Sequence, residues 1–237
     1  MPDRFIGPTS QTFISQRLRL HYADWGNPDA PPLILLHGGR DHCRNWDWVA
    51  QDLRRDYHII APDIRGHGDS AYSPSGDYSM SAFVYDLAQL IHQQHLAPVR
   101  IVAHSMGGAI ALRSAGAFPE TVSKLVAIEG LGPSPAMIAE RANRTPMERI
   151  RHWVSETRAL SGRTPRRYAS IDEALGRMQA ENKHLTPATS PSMASARTRT
   201  GPTAGSSTTM PVRSRRWTSA PPNSSSSGPT SPARSCW

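Results

Sequence analysis

From Leu185 to Trp237 the chain contains no aspartate or glutamate, and no histidine follows His184. Cysteine is almost absent as well. Cys43 and Cys236 are the only two and lack CxxC spacing, which excludes a disulfide framework and a zinc ribbon. No apolar run approaches the roughly 18–20 residues that span a bilayer. The N-terminal segment MPDRFIGPTSQTF has no apolar core of a secretory signal. These absences set the expectation of a soluble, reduced, cytoplasmic protein without a membrane partner.

The missing acids also explain the net charge. The chain carries 27 Lys and Arg against 19 Asp and Glu, a formal charge of +8. All 19 acids lie in residues 1–184 beside 21 basic residues, whereas residues 185–237 add six arginines: 197, 199, 213, 215, 216 and 234. The basic balance is thus a property of the tail. Apart from Trp217 no aromatic is interleaved with those arginines, so no nucleic-acid partner is expected. Of the tail's 53 residues, 33 are Ser, Thr, Pro or Gly, too few apolar groups to offset the entropy of ordering them. Residues 186–237 therefore read as a low-complexity, disordered tail.

The remainder has the periodicities of an α/β domain. Residues 12–24 partly alternate apolar and polar, as an edge strand pair would. Leu33–Leu36, His58–Pro62, Val99–Ala103 and Lys124–Ile128 are short apolar runs that read as parallel strands buried on both faces. Ser79 is placed to cap a helix burying Phe83, Leu87, Leu90 and Ile91. Met106–Ala117 suits a helix packed closely on a sheet. After Gly132 only helical patterns remain, over about 145–160 and 170–183. The second opens on a capping box, Ser170-Ile171-Asp172-Glu173. The expected organisation is a core over 1–135, a helical lid over 136–185 and the tail.

The third buried run leads directly into Ala103-His104-Ser105-Met106-Gly107-Gly108 and a helix. A nucleophile on a strand-to-helix turn needs small residues two before and two after it, here Ala103 and Gly107. Such a turn exposes the Ser105 hydroxyl and sets the Met106 N–H at a helix N-terminus, aimed at a developing oxyanion. The bend His37-Gly38-Gly39 can supply a second donor from the Gly39 N–H. His37 reads as a hydrogen-bonding support under that bend, and His104 as structural. Arg65 and Asp69 read as residues that knit a loop, His92 and His95 as surface residues, and Trp46, Trp48 and Met178 as packing. No metal or cofactor is expected.

Three stretches, LLHGGRDHCRNW, APDIRGHGDS and VAHSMGG, in that order and at those spacings, resemble the α/β-hydrolase superfamily, closest to its serine-nucleophile, esterase-like group. The resemblance covers roughly residues 10–185. It implies a mostly parallel sheet with a helical lid, a small ester-like substrate and acyl transfer through Ser105. Ala103 departs mildly from the family's usual glycine. Ser105 disfavours the members whose nucleophile is Asp, the epoxide hydrolases and haloalkane dehalogenases.

The resemblance further implies an acid and then a histidine downstream of Ser105. Only His152 and His184 follow it, and the tail has no acid. Glu129 ends the fourth run but has no base to serve. Shifting the tail's codons by one nucleotide makes Gly228–Trp237 compatible with WADIACPVLL, the kind of run that leads into such an acid. The expectation is therefore that residues from about 186–193 onward are a frameshifted product and that the last strands are lacking. Activity would then be weak or absent. A non-enzymatic binding protein keeping the hydrolase pocket is the alternative.

Overall fold

A computed structural model describes residues 7–161 and 169–181 of the chain. The tail expectation over 186–237 lies outside these residues, as do His184 and the side chain of Met178.

The chain opens with an antiparallel hairpin of β1 (Thr9–Ser15) and β2 (Leu18–Asp24), whose turn residues Gln16 and Arg17 both have positive φ, 45° and 66°. Strands β3 (Pro32–Leu36), β4 (His58–Pro62), β5 (Val99–His104) and β6 (Val122–Ile128) then form the parallel part of a six-stranded sheet in the order β1-β2-β4-β3-β5-β6. The four apolar runs read from the sequence are these four strands. Helix α1 (Asp47–Leu53) follows β3, α2 (Met80–Gln93) follows β4 after a long loop, and α3 (Met106–Ala117) follows β5 directly. Three further helices follow β6: α4 (Pro135–Ala142), α5 (Pro146–Ser161) and α6 (Ile171–Glu181). Among the described residues, no helix is long and apolar enough to cross a membrane.

Alternation along β3 splits the core between two faces of the sheet. Ile34 and Leu36 join Leu20, Ile60, Ile101 and the inner faces of α2 and α3. Leu33 and Leu35 face Trp25, Ile59, Cys43 and Trp46 on the α1 side. Helix α2 begins where its sequence places it: the Ser79 hydroxyl accepts the Ala82 N–H, and Phe83, Leu87, Leu90 and Ile91 are buried.

Several local expectations need correction. Trp46 is core, but Trp48 is 50% exposed, because α1 turns Asp47 and Ala50 inward and so directs Trp48 to the other side. The fourth parallel strand is not buried on both faces. Among the described residues β6 pairs with β5 alone, and its Val126 and Ile128 are 55% and 46% exposed. Helix α4 was not legible in the periodicity; its signal is the Ser134 hydroxyl, which caps Met137 N–H, followed by Pro135. At α6 the Ser170 hydroxyl accepts Glu173 N–H as expected, but the Glu173 carboxylate takes the N–H of Ala169, not that of Ser170. A reciprocal box does occur at α5, between Thr145 and Glu148.

The sheet order positions the site. From β3 the chain crosses to β4 on one side, and from β4 it returns past β3 to β5 on the other. At such a reversal the loops at the carboxyl ends of β3 and β5 part, leaving a crevice where α/β sheets bind ligands. The loop after β3 carries His37, Gly38 and Gly39, and the turn after β5 carries Ser105.

Candidate active site

Ser105 sits between β5 and α3 with φ 50° and ψ −113°, a backbone conformation that costs of order 1–3 kcal/mol for a residue with a side chain. The surroundings enforce it. Ser105 N–H donates to Ile128 O at 2.9 Å, and its carbonyl accepts from Ala109 N–H at 3.2 Å, so strand β6 and helix α3 grip it from both sides. Ala103 is fully buried beneath the turn. Gly107 lies so near the end of β3 that a Cβ there would stand 2.5 Å from His37 O and 2.7 Å from Leu36 O. Smallness at Gly107 is thus a matter of backbone clearance, and at Ala103 it goes with complete burial. The half-buried Ser105 side chain projects from the turn, and among the described residues no imidazole or carboxylate hydrogen-bonds its hydroxyl.

The glycine bend after β3 packs directly on this turn. A Cβ on Gly38 would meet His104 Nδ1 at 2.9 Å and Ser105 Cβ at 3.2 Å, and one on Gly39 would meet Met106 Sδ at 3.5 Å. Gly38 is buried and Gly39 exposed, so Gly39 and Met106 face each other at the mouth of the crevice. Met106 opens the twelve-residue helix α3, whose dipole places positive potential there.

His37 holds the bend from beneath. Its Nδ1–H donates to Gly38 O at 2.7 Å and its Nε2 accepts Ile64 N–H at 2.9 Å, which fixes a neutral imidazole. Complete burial lowers its pKa to about 4. The unfolded chain takes up this proton near pH 6.5, whereas the fold resists it until about 4. Stability is therefore full above pH 6.5 and falls as pH drops through that window. At 1.36 kcal/mol per pH unit the fall totals about 3 kcal/mol. The partly exposed His67, also lowered by burial, adds in the same direction. Urea midpoints measured from neutral pH to about pH 4.5 should show this slope, and His37→Gln, with one amide donor and one acceptor, should flatten it. An unchanged slope in that variant would contradict the assignment.

The loop after β4 is a polar knot. The Arg65 guanidinium, 1% exposed, binds both carboxylate oxygens of Asp86 at 2.6 and 2.7 Å, and also Gln16 Oε1, Asp77 O and Ala82 O. Asp69 gives its N–H to Asp63 while its side chain stays exposed. His92, in the last turn of α2, and His95, just beyond it, are both exposed.

Three features escaped sequence reasoning. A Cβ on Gly130, which has φ +78°, would fall 1.8 Å from Ser105 O, so this glycine is required by the turn it covers. Gly108 likewise has no room for a side chain, since its Cβ would stand 2.8 Å from Glu129 O. Asp63 is buried and accepts from His21 Nδ1 at 2.8 Å, Cys43 N–H at 2.7 Å and Asp69 N–H at 2.9 Å; these bonds and nearby His37 hold its pKa well below the usual carboxylate range despite burial. Nothing in the spacing of His21, Cys43 and Asp63 announces that they meet.

Comparisons with known proteins bear on the fold. The human "Serine hydrolase-like protein 2" is 27% identical over 164 residues, covering 68% of this chain and 51% of that protein. Mouse "Epoxide hydrolase 4" is 28% identical over 135 residues, 56% of this chain and 37% of that one. A thioesterase domain from the curacin biosynthetic pathway superposes with a TM-score of 0.66 at 20% identity, over 83% of this chain and 70% of the domain, which shows a shared fold. The chain spans between about a third and a half of the length of the curated relatives it matches. A family model described as the alpha/beta hydrolase fold matches residues 31–234. On its sheet order, its strained turn after β5 and that match, the chain belongs to the alpha/beta hydrolase fold family.

Proposed function

We propose that the chain carries the nucleophile and oxyanion half of an acyl-ester hydrolase for small molecules, with Ser105 as the attacking group. The observation that carries this reading is the backbone of Ser105, held at φ 50° at the head of α3 and opposite the Gly38-Gly39 bend. Ser105 Oγ adds to the ester carbonyl, and the N–H groups of Gly39 and Met106 receive the oxyanion. Collapse of the tetrahedral adduct expels the alcohol, and water then releases the acid and regenerates the hydroxyl. Among the described residues no imidazole hydrogen-bonds Ser105; with solvent accepting and returning the protons, both steps are slow. Residual turnover from oxyanion stabilisation alone is known for serine hydrolases stripped of their triad.

This reading takes the helices α4–α6, which follow β6, as the lid. His37, Gly38, Ala103, His104 and Gly107 support the turn and the bend without touching the reacting atoms. That no imidazole among the described residues bonds the Ser105 hydroxyl also favours a second reading, a binding protein that keeps the pocket. A p-nitrophenyl ester separates the two. The hydrolase reading expects a slow burst of nitrophenol, up to one equivalent, that Ser105→Ala removes while leaving the melting temperature unchanged. Equal release by both proteins would leave only the binding reading.

A further inference from the structure

Away from Ser105, three buried donors of different chemistry converge. They come from separate segments: His21 from β2, Cys43 from the loop after β3, and Asp63 from the loop after β4. Their ligand atoms all lie within 4.8 Å of one another, with His21 Nδ1 2.8 Å from Asp63 Oδ2 and 3.9 Å from Cys43 Sγ. A tetrahedral zinc ion with bonds of about 2.0–2.3 Å sets its ligand atoms about 3.3–3.7 Å apart. The observed separations straddle that range, so small side-chain rotations suffice. Among the described residues this is the one group of three such donors.

Two arrangements of these groups distinguish a metal site from a proton relay between them. A relay through the thiol would hold the imidazole between Cys43 and Asp63 by different nitrogens. Here both approach the same one, Nδ1, and so surround a common point. The other nitrogen, Nε2, lies 2.9 Å from Ser10 Oγ, which can accept its proton once Nδ1 is a ligand. Asp63 is oriented in turn by the N–H groups of Cys43 and Asp69, the outer support usual around metal ligands.

Beside the cluster is a cavity of about 150 Å3, lined by Ser10, Arg44 and Asp69 as well as the three donors. It is roomy enough for several waters at about 30 Å3 each.

From this convergence we propose that His21, Cys43 and Asp63 form a zinc-binding site of the chain, with solvent from the adjoining cavity in the fourth position. A mixed imidazole, thiolate and carboxylate set suits Zn2+ better than Mg2+ or Ca2+, which take oxygen ligands. Binding replaces the Cys43 thiol proton, which leaves to solvent. The product is electrically neutral, since one thiolate and one carboxylate offset the dication, as a buried site requires. The ion would tie β2 to the loops that follow β3 and β4, a role apart from the proposed ester chemistry.

The test uses the full chain, freed of metal by a chelator and titrated with Zn2+ against a chromophoric competitor, and separately with Co2+. One equivalent should bind, raising the melting temperature, and Co2+ should give thiolate charge-transfer absorption. Cys43→Ser should weaken binding at least a hundredfold and abolish that absorption, while a His92→Gln, His95→Gln double variant should bind as the wild type does. Cys43→Ala guards against a folding defect peculiar to serine. Failure of the wild-type chain to take up Zn2+ at micromolar concentration, or uptake unaffected by both Cys43 variants, overturns the proposal. Neither result bears on Ser105.

Discussion

Arg65→Met should destabilise the fold by about 3–5 kcal/mol, the usual cost of leaving one member of a buried ion pair alone. Arg65 is 1% exposed, and the Asp86 carboxylate it faces is itself nearly buried. Removing the guanidinium leaves Asp86 with the Ser15 hydroxyl as its remaining hydrogen-bond donor. It also removes the bonds that tie Arg65 to Gln16 in the β1–β2 turn and to Ala82 O on α2. A loss of this size is a large part of the about 5–15 kcal/mol that holds a domain folded. The pair's own worth is a separate quantity. Arg65→Met combined with Asp86→Leu removes both charges, and such apolar replacements are often close to neutral. Urea unfolding of the two single variants and the double should therefore show the double to be more stable than Arg65→Met. A double variant as unstable as the sum of the singles would mean that Arg65 acts through its bonds to Gln16, Asp77 and Ala82, not through Asp86.

Arg65 also illustrates what the sequence makes readable. Its place in a glycine-laced loop marks it as a loop organiser, but which elements it joins depends on Gln16 and Asp86, distant in the chain. The parallel strands β3 and β4 were legible because Leu33–Leu36 and Ile59–Pro62 are buried on both faces and so show uninterrupted apolar runs. Helix α2 was legible because its cap and its buried stripe are both local. The fourth strand misled for the same reason: Val126 and Ile128 have the composition of buried residues yet are exposed. Trp48 misled because composition carries no direction, and only the turn of α1 settles which face it occupies.

At the site, what is contiguous was readable and what is assembled was not. Ala103, Ser105 and Gly107 lie within one turn, so the demand for small neighbours is visible as spacing. The His21, Cys43 and Asp63 group is brought together from three segments by the order β2-β4-β3 and has no one-dimensional signature. Gly130 falls between these cases. It is near in space to Ser105 because β5 and β6 are adjacent and in register, Ala103 beside Ala127 and His104 beside Ile128. Knowing that pairing would have drawn attention to a glycine just past the end of β6.

That register makes Gly130→Ala the sharpest test of the strained turn. The new Cβ would be placed 1.8 Å from Ser105 O, and φ +78° is a conformation that an L side chain disfavours by about 1–2 kcal/mol. Overpacking against a fixed neighbour adds about 1–3 kcal/mol. The neighbour here is backbone, and it cannot rotate away: the same carbonyl accepts from Ala109 N–H, and the Ser105 amide is bonded to Ile128 O. Either β6 shifts outward or the turn relaxes from φ 50°, and in both cases the nucleophile leaves its position opposite the Gly38-Gly39 bend. A loss of about 2–5 kcal/mol in urea unfolding should therefore accompany disappearance of the nitrophenol burst, a readout that stability alone need not move. Gly116→Ala is the matched control, because no atom lies within 4 Å of a Cβ there. Within a helix alanine is favoured over glycine, by about 0.5–1 kcal/mol at the centre and less in the last turn of α3 where Gly116 lies, so that variant should be at least as stable as the parent and keep the burst. If Gly130→Ala retains both stability and burst, the turn is held by something other than its contact with this glycine.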